Sequence, residues 1–561
     1  MKPRDLSEYV LPTTMAFQLI LGFLQILDIL GVMYQPLVKH GFEYTSFTVG
    51  VNLIWPMVGL LVLSVVHSLR SKETRSLLAC APILFAVIHP ELGLSLASLS
   101  YVAVSLIYTE NKRRFFHALL MVLTLFNSLG VIHYGMLLPL GVPSPFTGLA
   151  SLQLNVHYVL ATVAPFLVFP FLYSWFLKPL IDTAFVLPRH RVLERRVDGF
   201  SRLLLAFAVY LSIYSAVYPY FPAINPKQML FAADIQRYTA AIEMRFNAET
   251  TLLEVIGMGR AFFYLFFNAF QRILGLEVQQ ALSALPILLN PLFVLASYFF
   301  LWECFRNSRV AAWGSFFAST GHVITAGMLM NYLSNNLALV LVFSSLGLLL
   351  RAVRRTSVPC LSAASFIAAL LVYTHPWTML QFFAAVVTAV GASFILSWFG
   401  VREVDPHWVR YATVFLTAVF LSEATAVLVF HSFSGVSATS DVIGGTSYVT
   451  GFWGRVVESF KFSGGLMASL GPLLLATIGA YTMQSEEHSH GYPVFLVALS
   501  SLVYLFTAST VKARLFYNLL LWLFAAVGLS ALEERFDSSI LVFAVLNSLL
   551  YLFMSLANIV Y

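Results

Sequence analysis

The sequence predicts an all-α, polytopic integral membrane protein with about 17 transmembrane helices. Two compositional observations support this fold class: 59% of the 561 residues are hydrophobic, and only 10% are charged. Soluble proteins carry about 25% charged residues. In addition, apolar runs of about 20 residues recur from end to end, which is the length that crosses a bilayer.

Charge and cysteine usage exclude several other classes of protein. The formal net charge is +6, but the basic residues form short patches between apolar runs, as topology determinants do, so no nucleic-acid partner is expected. The three cysteines, Cys80, Cys304 and Cys360, are scattered and predict neither a disulfide framework nor a metal site. The first apolar run has no small-residue cleavage site, which predicts a retained first span with the N-terminus in the cytoplasm.

Residues 1–199 are predicted to form an N-terminal transmembrane module of about six spans. The run 77–108 is expected to be broken at His89-Pro90-Glu91. The segment 178–199 holds five basic residues and is predicted to be a cytoplasmic linker. The predicted spans are 12–33, 47–67, 77–89, 93–108, 115–137 and 150–177.

Residues 200–561 are predicted to form a second transmembrane module. Its first helix, 202–220, is expected to run outward, so the polar loop 221–258 is predicted to be extracytoplasmic. The run 261–276 is short for a span and is interpreted as an interfacial helix. The further predicted spans are 282–302, 310–328, 332–350, 360–374, 378–400, 408–431, 463–483, 491–509, 514–531 and 539–560.

The loop 221–258 concentrates charge within a largely apolar chain. If 233–246 is helical, Asp234, Arg237 and Tyr238 share one face through i, i+3 and i+4 spacing, and Glu243 follows. A carboxylate beside an arginine stays ionised at neutral pH, which suits a general base or an electrostatic role. The alternative is a solvated interfacial helix with a simple ion pair.

Further candidates lie near predicted span ends. His375, in LLVYTHPWTMLQ, is either a belt residue beside Trp377 or a functional group. Lys512 and Arg514 fall on the outer side of the predicted topology, which marks either a functional site or one miscounted span. Glu423 is expected to be the buried mid-span carboxylate, as a proton or ion site or facing a polar cavity.

The order of these features resembles the polytopic type-C glycosyltransferases, which use a polyprenyl-phosphate-linked sugar donor. The resemblance covers about residues 200–530. It is closest to archaeal membrane proteins of this superfamily at NYLSNNLALVLVF and LLVYTHPW. The segments that carry it are YPYFPAINPKQMLFAADIQRYTAAIEM, which looks like the first extracytoplasmic loop, and RAFFYLFFNAFQRILGLEVQQALSALPILLNPLFVLASYFFLWECF, which looks like the juxtamembrane helix and the next span.

The resemblance implies an inverting hexosyl or pentosyl transferase in the plasma membrane. Asp234 would act as base, with Glu243 in reserve. The residues implied to bind substrate are Arg237, Tyr238, His375, Lys512 and Arg514, of which Arg237, Lys512 and Arg514 would hold the donor phosphate. An apolar cavity between spans would hold the prenyl chain.

Three departures from the family narrow this expectation. A single Asp replaces a paired motif such as DxD or ED, so a divalent metal cofactor is not supported. There is no WWDYG motif, which argues against an oligosaccharyltransferase subunit. No soluble C-terminal domain is expected, which favours a lipid-linked glycan over a protein acceptor.

Two other functions remain open. A transporter or lipid flippase would use Glu423 and the outer histidines, but it should show inverted repeats, and no such symmetry is found. A non-catalytic subunit would retain the fold and could contact a membrane protein partner through the N-terminal module.

Overall fold

The computed structural model shows a helical protein with one short pair of strands, Val38–Lys39 and Phe42–Glu43. It describes residues 7–29, 38–39, 42–43, 54–71, 80–108, 112–147, 153, 196–226, 235–246, 251–257, 259–330, 332–398, 406–430, 472, 475–476, 478–479, 521–533 and 539–557. The predicted spans 150–177, 463–483 and 491–509 lie largely or wholly outside these residues.

The α-helices of the described residues follow one another along the chain. They are α1 (Ser7–Ile29), α2 (Ile54–Ser71), α3 (Pro90–Tyr108), α4 (Lys112–Ile132), α5 (Gly199–Val217), α6 (Ile235–Arg245), α7 (Leu252–Gly257), α8 (Ala261–Leu274), α9 (Val278–Phe305), α10 (Ser308–Thr320), α11 (His322–Met330), α12 (Leu333–Arg355), α13 (Val358–Val372), α14 (Pro376–Trp398), α15 (Pro406–Leu428), α16 (Leu521–Glu533) and α17 (Ser539–Ala557).

Six helices are long and apolar enough to cross a membrane within the part of the chain that the structure describes. This finding supports a membrane protein, as the composition predicts. The six are Arg114–Leu137, Gly199–Tyr220, Val278–Phe305, Leu333–Arg355, Pro406–Leu428 and Ser539–Ala557.

The chain divides into two compact units. The first unit comprises Met1–Val163 with Arg535–Met554, and the second comprises Ala164–Glu534 with the residues that follow Met554 up to Val560. This contact-based division is distinct from the module boundary at residues 199–200, which stays a prediction.

Within the first unit, α1 packs against α2, α3 and α4. Helix α3 begins at Pro90, where the sequence predicts a break, because proline is well suited to the first position of a helix. His89 caps this start, since its Nδ1 accepts a hydrogen bond of 3.3 Å from the Leu92 amide. The Tyr101 hydroxyl donates to the Ser64 carbonyl at 3.3 Å and ties α3 to α2.

Within the second unit, α9 lies at the centre and packs against α5, α10 and α12. Two of its helices, α5 and α10, start at side-chain caps, as polar residues before apolar runs predict. Asp198 accepts from the Ser201 amide at 2.7 Å to cap α5, and Asn307 accepts from the Arg309 and Val310 amides to cap α10.

The second unit has two chemically different ends. At the loop end, α6 and α8 pack against the starts of α9 and α12 through a core that includes Tyr238, Phe263, Leu282 and Leu333. The arginine end is where α9 and α12 end and where α5 and α10 begin. The ends of α9 and α12 meet through Glu303 and Arg351, and the starts of α5 and α10 meet through the 3.1 Å hydrogen bond between Ser201 and Ser308. The candidate site lies at the loop end.

Two predicted spans differ from the structure. The run 77–89 is described from residue 80 and forms a 3₁₀ helix of seven residues, Ala81–Val87, which is too short to cross a bilayer. The run 310–328 is not a single helix, because α10 ends at Thr320 and α11 starts at His322. Gly321 separates them in an extended conformation, with φ of −85° and ψ of 175°. A Cβ atom at this position would meet the Phe317 carbonyl oxygen at 2.7 Å, so the chain turn needs a glycine.

Candidate functional site

Helix α6 carries the predicted loop residues that the structure describes. It is amphipathic, with Ile235, Tyr238 and Ile242 buried at helical spacing. Arg237 and Glu243 are exposed. The helix expected over 233–246 is therefore present over Ile235–Arg245, but Arg237 and Tyr238 face different surroundings instead of sharing one.

Three predicted site residues, Asp234, Lys512 and Arg514, lie outside the described residues. Asp234 directly precedes Ile235, the buried first residue of α6. The assignments of Asp234 as base and of Lys512 and Arg514 as donor-phosphate ligands therefore stay predictions.

Tyr238 joins α6 to the helix bundle. Its hydroxyl shares a buried hydrogen bond of 3.0 Å with Ser334 Oγ, near the start of α12. Its ring packs beside Phe263 of α8, with 5.4 Å between ring centroids. The role predicted for Tyr238 in substrate binding is therefore accompanied by a structural one.

Arg260 brings a positive charge to the Ser334 hydroxyl. Its guanidinium donates to Ser334 Oγ at 3.3 Å and lies over the Trp377 ring at 5.7 Å from the centroid. Arg260 adopts a left-handed backbone conformation with φ of 53° at the start of α8, which costs a non-glycine residue about 1 kcal/mol. Such strain at a charged residue is typical of functional sites.

His375 lies at the start of α14 and is only 2% exposed. Its Nδ1 accepts from the Thr378 amide at 3.3 Å and contacts the Thr378 hydroxyl at 2.6 Å. The Thr378 hydroxyl donates to Asn335 Oδ1 of α12. His375 is thus a buried helix cap that connects two helix starts, and not a side chain displayed at a lipid surface.

We call these six residues the buried polar cluster: Tyr238, Arg260, Ser334, Asn335, His375 and Thr378. Arg260 is half-buried and the other five are buried. Helices α12 and α14 both begin here, so the positive ends of their dipoles point toward the cluster. Arg260 adds a full positive charge. This combination favours an anion such as a phosphate group.

A small apolar cavity follows the buried polar cluster along the same helices. It is lined by side chains of α12, α13, α14 and α15, among them Val342, Leu371, Phe382 and Phe415. Val342 comes about two helical turns after Asn335, and Met379, which also lines the cavity, comes about one turn after His375. A ligand with a polar head and an apolar chain could therefore place its head at the buried polar cluster and its chain toward the cavity.

Two further charged residues of the loop, Glu254 and Arg245, have local structural roles. Glu254 caps α7, because its carboxylate accepts from the Thr251 amide at 2.7 Å and from the Thr251 hydroxyl at 2.9 Å. The amide hydrogen bond is the main cause that lowers the pKa of Glu254. The Arg245 guanidinium lies over the Tyr264 ring, 4.1 Å from its centroid, and fixes the end of α6.

The expectation that Glu423 is the buried carboxylate needs correction. Glu423 is half-buried in α15, whereas Glu303 is completely buried near the end of α9. Glu303 lies one residue beyond the predicted span 282–302. Its spacing to Arg306, three residues later, was a detectable signal of an ion pair.

Sequence reasoning also missed the roles of Arg260 and Ser334. Arg260 directly precedes the predicted interfacial helix 261–276, and Ser334 lies within NYLSNNLALVLVF, where the resemblance implies no role for it. Both matter because three segments distant in the chain meet there.

No protein-family model matches this chain, and no curated protein matches it.

Proposed function

We propose that this protein is a membrane glycosyltransferase of the type-C kind. It would move a sugar from a polyprenyl-phosphate donor to a lipid-linked glycan or another acceptor at the extracytoplasmic face of the plasma membrane. In this proposal the chain has about 17 spans, a cytoplasmic N-terminus and the loop 221–258 outside. The observation that carries the proposal is the buried polar cluster at the loop end, adjacent to an apolar cavity.

The proposed reaction is a displacement with inversion at the anomeric carbon. An acceptor hydroxyl oxygen bonds to that carbon, the carboxylate of Asp234 takes the hydroxyl proton, and the bond from carbon to phosphate oxygen breaks. Polyprenyl phosphate leaves with the electron pair. Negative charge grows on the phosphate during this step, so a cation near it lowers the barrier.

Arg260 is the described cation best placed for that phosphate. It lies in the buried polar cluster at the starts of α12 and α14, whose dipoles add to its charge. Arg237, Lys512 and Arg514 are the further candidates of the proposal. The apolar cavity is small, so in this proposal it would hold at most the first isoprene unit of the prenyl chain, which its lining of Leu, Val and Phe side chains suits.

The test uses the purified full-length chain with a radiolabelled polyprenyl-phosphate sugar. We expect Asp234→Asn to reduce transfer by about 10²–10⁴-fold, which is the rate factor that a general base contributes. Glu243→Gln is expected to reduce it less. Glu254→Gln is the matched control, since that exposed carboxylate of the same loop only caps α7.

Full transfer by Asp234→Asn at an unchanged unfolding temperature would remove Asp234 from the mechanism. If the unaltered protein instead moves the intact donor across a vesicle membrane without sugar transfer, a flippase function replaces the proposed one.

A further inference from the structure

At the arginine end, one buried carboxylate is surrounded by three arginines. Glu303 is fully buried in the last turn of α9. It pairs with Arg306 at 2.9 Å, with Arg351 at 2.7 Å and with Arg354. Arg354 also donates to the Glu303 carbonyl oxygen at 3.0 Å. We call these four residues the Glu303 cluster.

The Glu303 cluster carries a surplus of positive charge. Three guanidinium groups face one carboxylate, which leaves a net charge of +2 among these side chains. The C-terminal dipole ends of α9 and α12 together supply only about one negative elementary charge. A positive site therefore remains among the described residues.

The three arginines are also accessible. Their side chains are 21% exposed for Arg306, 32% for Arg351 and 21% for Arg354. Two of them stack on aromatic rings: Arg351 lies 4.8 Å from the Phe299 centroid, and Arg306 lies 5.3 Å from the Trp302 centroid. Stacking holds each guanidinium plane in place, while Nε and one Nη nitrogen of Arg351 are directed at Glu303 Oε1.

Arg309 at the same end provides an internal contrast. It pairs with two carboxylates, Asp198 at 3.3 Å and Glu533. One cation between two anions leaves no positive surplus there, so an excess of positive charge is not a general property of this end.

We propose that the Glu303 cluster binds the phosphate headgroup of an anionic membrane lipid. Arginine matches phosphate through paired hydrogen bonds, and basic pockets between transmembrane helices bind anionic headgroups. A lipid is favoured over free phosphate because Arg351 and Arg354 lie at the end of α12, one of the six helices apolar enough to span a membrane. This site is separate from the buried polar cluster.

The test measures phosphatidylglycerol binding to the purified full-length chain by native mass spectrometry. We expect binding to exceed that of phosphatidylcholine by about tenfold or more, because phosphatidylglycerol carries a net negative charge, whereas the choline cation of phosphatidylcholine cancels the charge of its phosphate and is repelled by the positive surplus. Arg351→Gln should lower the ratio of phosphatidylglycerol to phosphatidylcholine binding about tenfold, and Arg351→Lys should lower it less. Arg309→Gln is the matched control and should keep the preference within about twofold.

Equal loss in Arg351→Gln and Arg309→Gln would overturn the proposal, because the effect would then be one of overall charge. Competition by millimolar inorganic phosphate would overturn the lipid as ligand. Should Arg351→Gln fail to fold, photoactivatable phosphatidylglycerol can be crosslinked to the unaltered protein. Labelled peptides containing 299–306 or 351–354 are expected, and labelling confined to other peptides would contradict the site.

Discussion

At the scale of single residues, Tyr238 shows how one hydroxyl fixes a loop helix to the bundle. We predict that Tyr238→Phe lowers the free energy of unfolding by about 1 kcal/mol, because its buried bond to Ser334 is lost while the ring packing stays. The measurement is the thermal unfolding midpoint in detergent, where a decrease of about 2 °C is expected.

Tyr210→Phe is the control for this prediction, because Tyr210 is an exposed tyrosine on α5. An equal decrease in both variants would mean that the Tyr238 hydroxyl bond contributes nothing specific.

Asp198 makes stability depend on pH at the arginine end. The hydrogen bonds from Ser201, followed by those from Arg309, lower the pKa of Asp198 to about 2. Because the pKa is lower in the folded protein, this stabilisation is complete above the ordinary aspartate value of about 4 and is lost as the pH falls from 4 to 2.

We therefore predict that Asp198→Ser lowers the unfolding midpoint at pH 7 and that the difference from the unaltered protein narrows below about pH 4. The loss should be below about 1 kcal/mol, because serine still caps α5 and the Arg309 pair is partly exposed. Midpoints measured from pH 3 to pH 7 test this. A difference that is constant with pH would mean that the charge of Asp198 plays no part.

At the scale of elements, the backbone of α16 lies very close to the backbone of Leu475 and Gly479. A Cβ atom on Gly528 would collide with the Leu475 carbonyl oxygen, and one on Gly479 would collide with the Phe524 carbonyl oxygen. Small residues at such crossings let helix backbones approach each other.

We predict that Gly528→Ala lowers the free energy of unfolding by at least about 2 kcal/mol, because a backbone oxygen cannot move aside as a flexible side chain can. Gly391→Ala in α14 should be neutral or slightly stabilising, since nothing lies within 4 Å of the added methyl group. Thermal unfolding of both variants tests the prediction. Equal midpoints for the two would show that the crossing tolerates a methyl group.

Element boundaries differ in how well the sequence predicts them. The bounds of α9 and α12 follow from long apolar runs between polar or charged residues. The expected span 282–302 falls inside α9, and 332–350 begins one residue before α12. The division of 310–328 into α10 and α11 was missed. Its cause is the crowded, extended Gly321, and crowding depends on neighbours that a hydropathy pattern does not contain.

At the scale of the whole molecule, the two ends of the second unit should lie on opposite sides of the membrane. We predict that Gln236→Cys on α6 reacts with a membrane-impermeant maleimide in intact cells and that Arg355→Cys at the end of α12 does not, since both positions are exposed in the structure. The native cysteines Cys80, Cys304 and Cys360 would first be replaced by alanine.

The reverse labelling pattern would show that the topology is inverted and that the proposed site faces the cytoplasm. Labelling of Arg355→Cys only after membrane permeabilisation is the control that the side chain is reactive.

By itself, the sequence determined the membrane class, most helix positions in the described residues and the polar loop with its helix α6. These follow from hydropathy and helical spacing, which are local properties. The sequence also singled out Tyr238 and His375, but without their partners.

Only the tertiary structure decided that Tyr238, Arg260 and Ser334 meet at one hydroxyl, and that Glu303 gathers three arginines. These residues lie up to about 100 positions apart in the chain. The Glu303 contacts form because α9 and α12 pack side by side, and the Ser334 contacts form because α6 and the start of α8 lie against the start of α12. Which side chains face each other across a helix pair depends on packing angle and offset, and neither is encoded in any single segment.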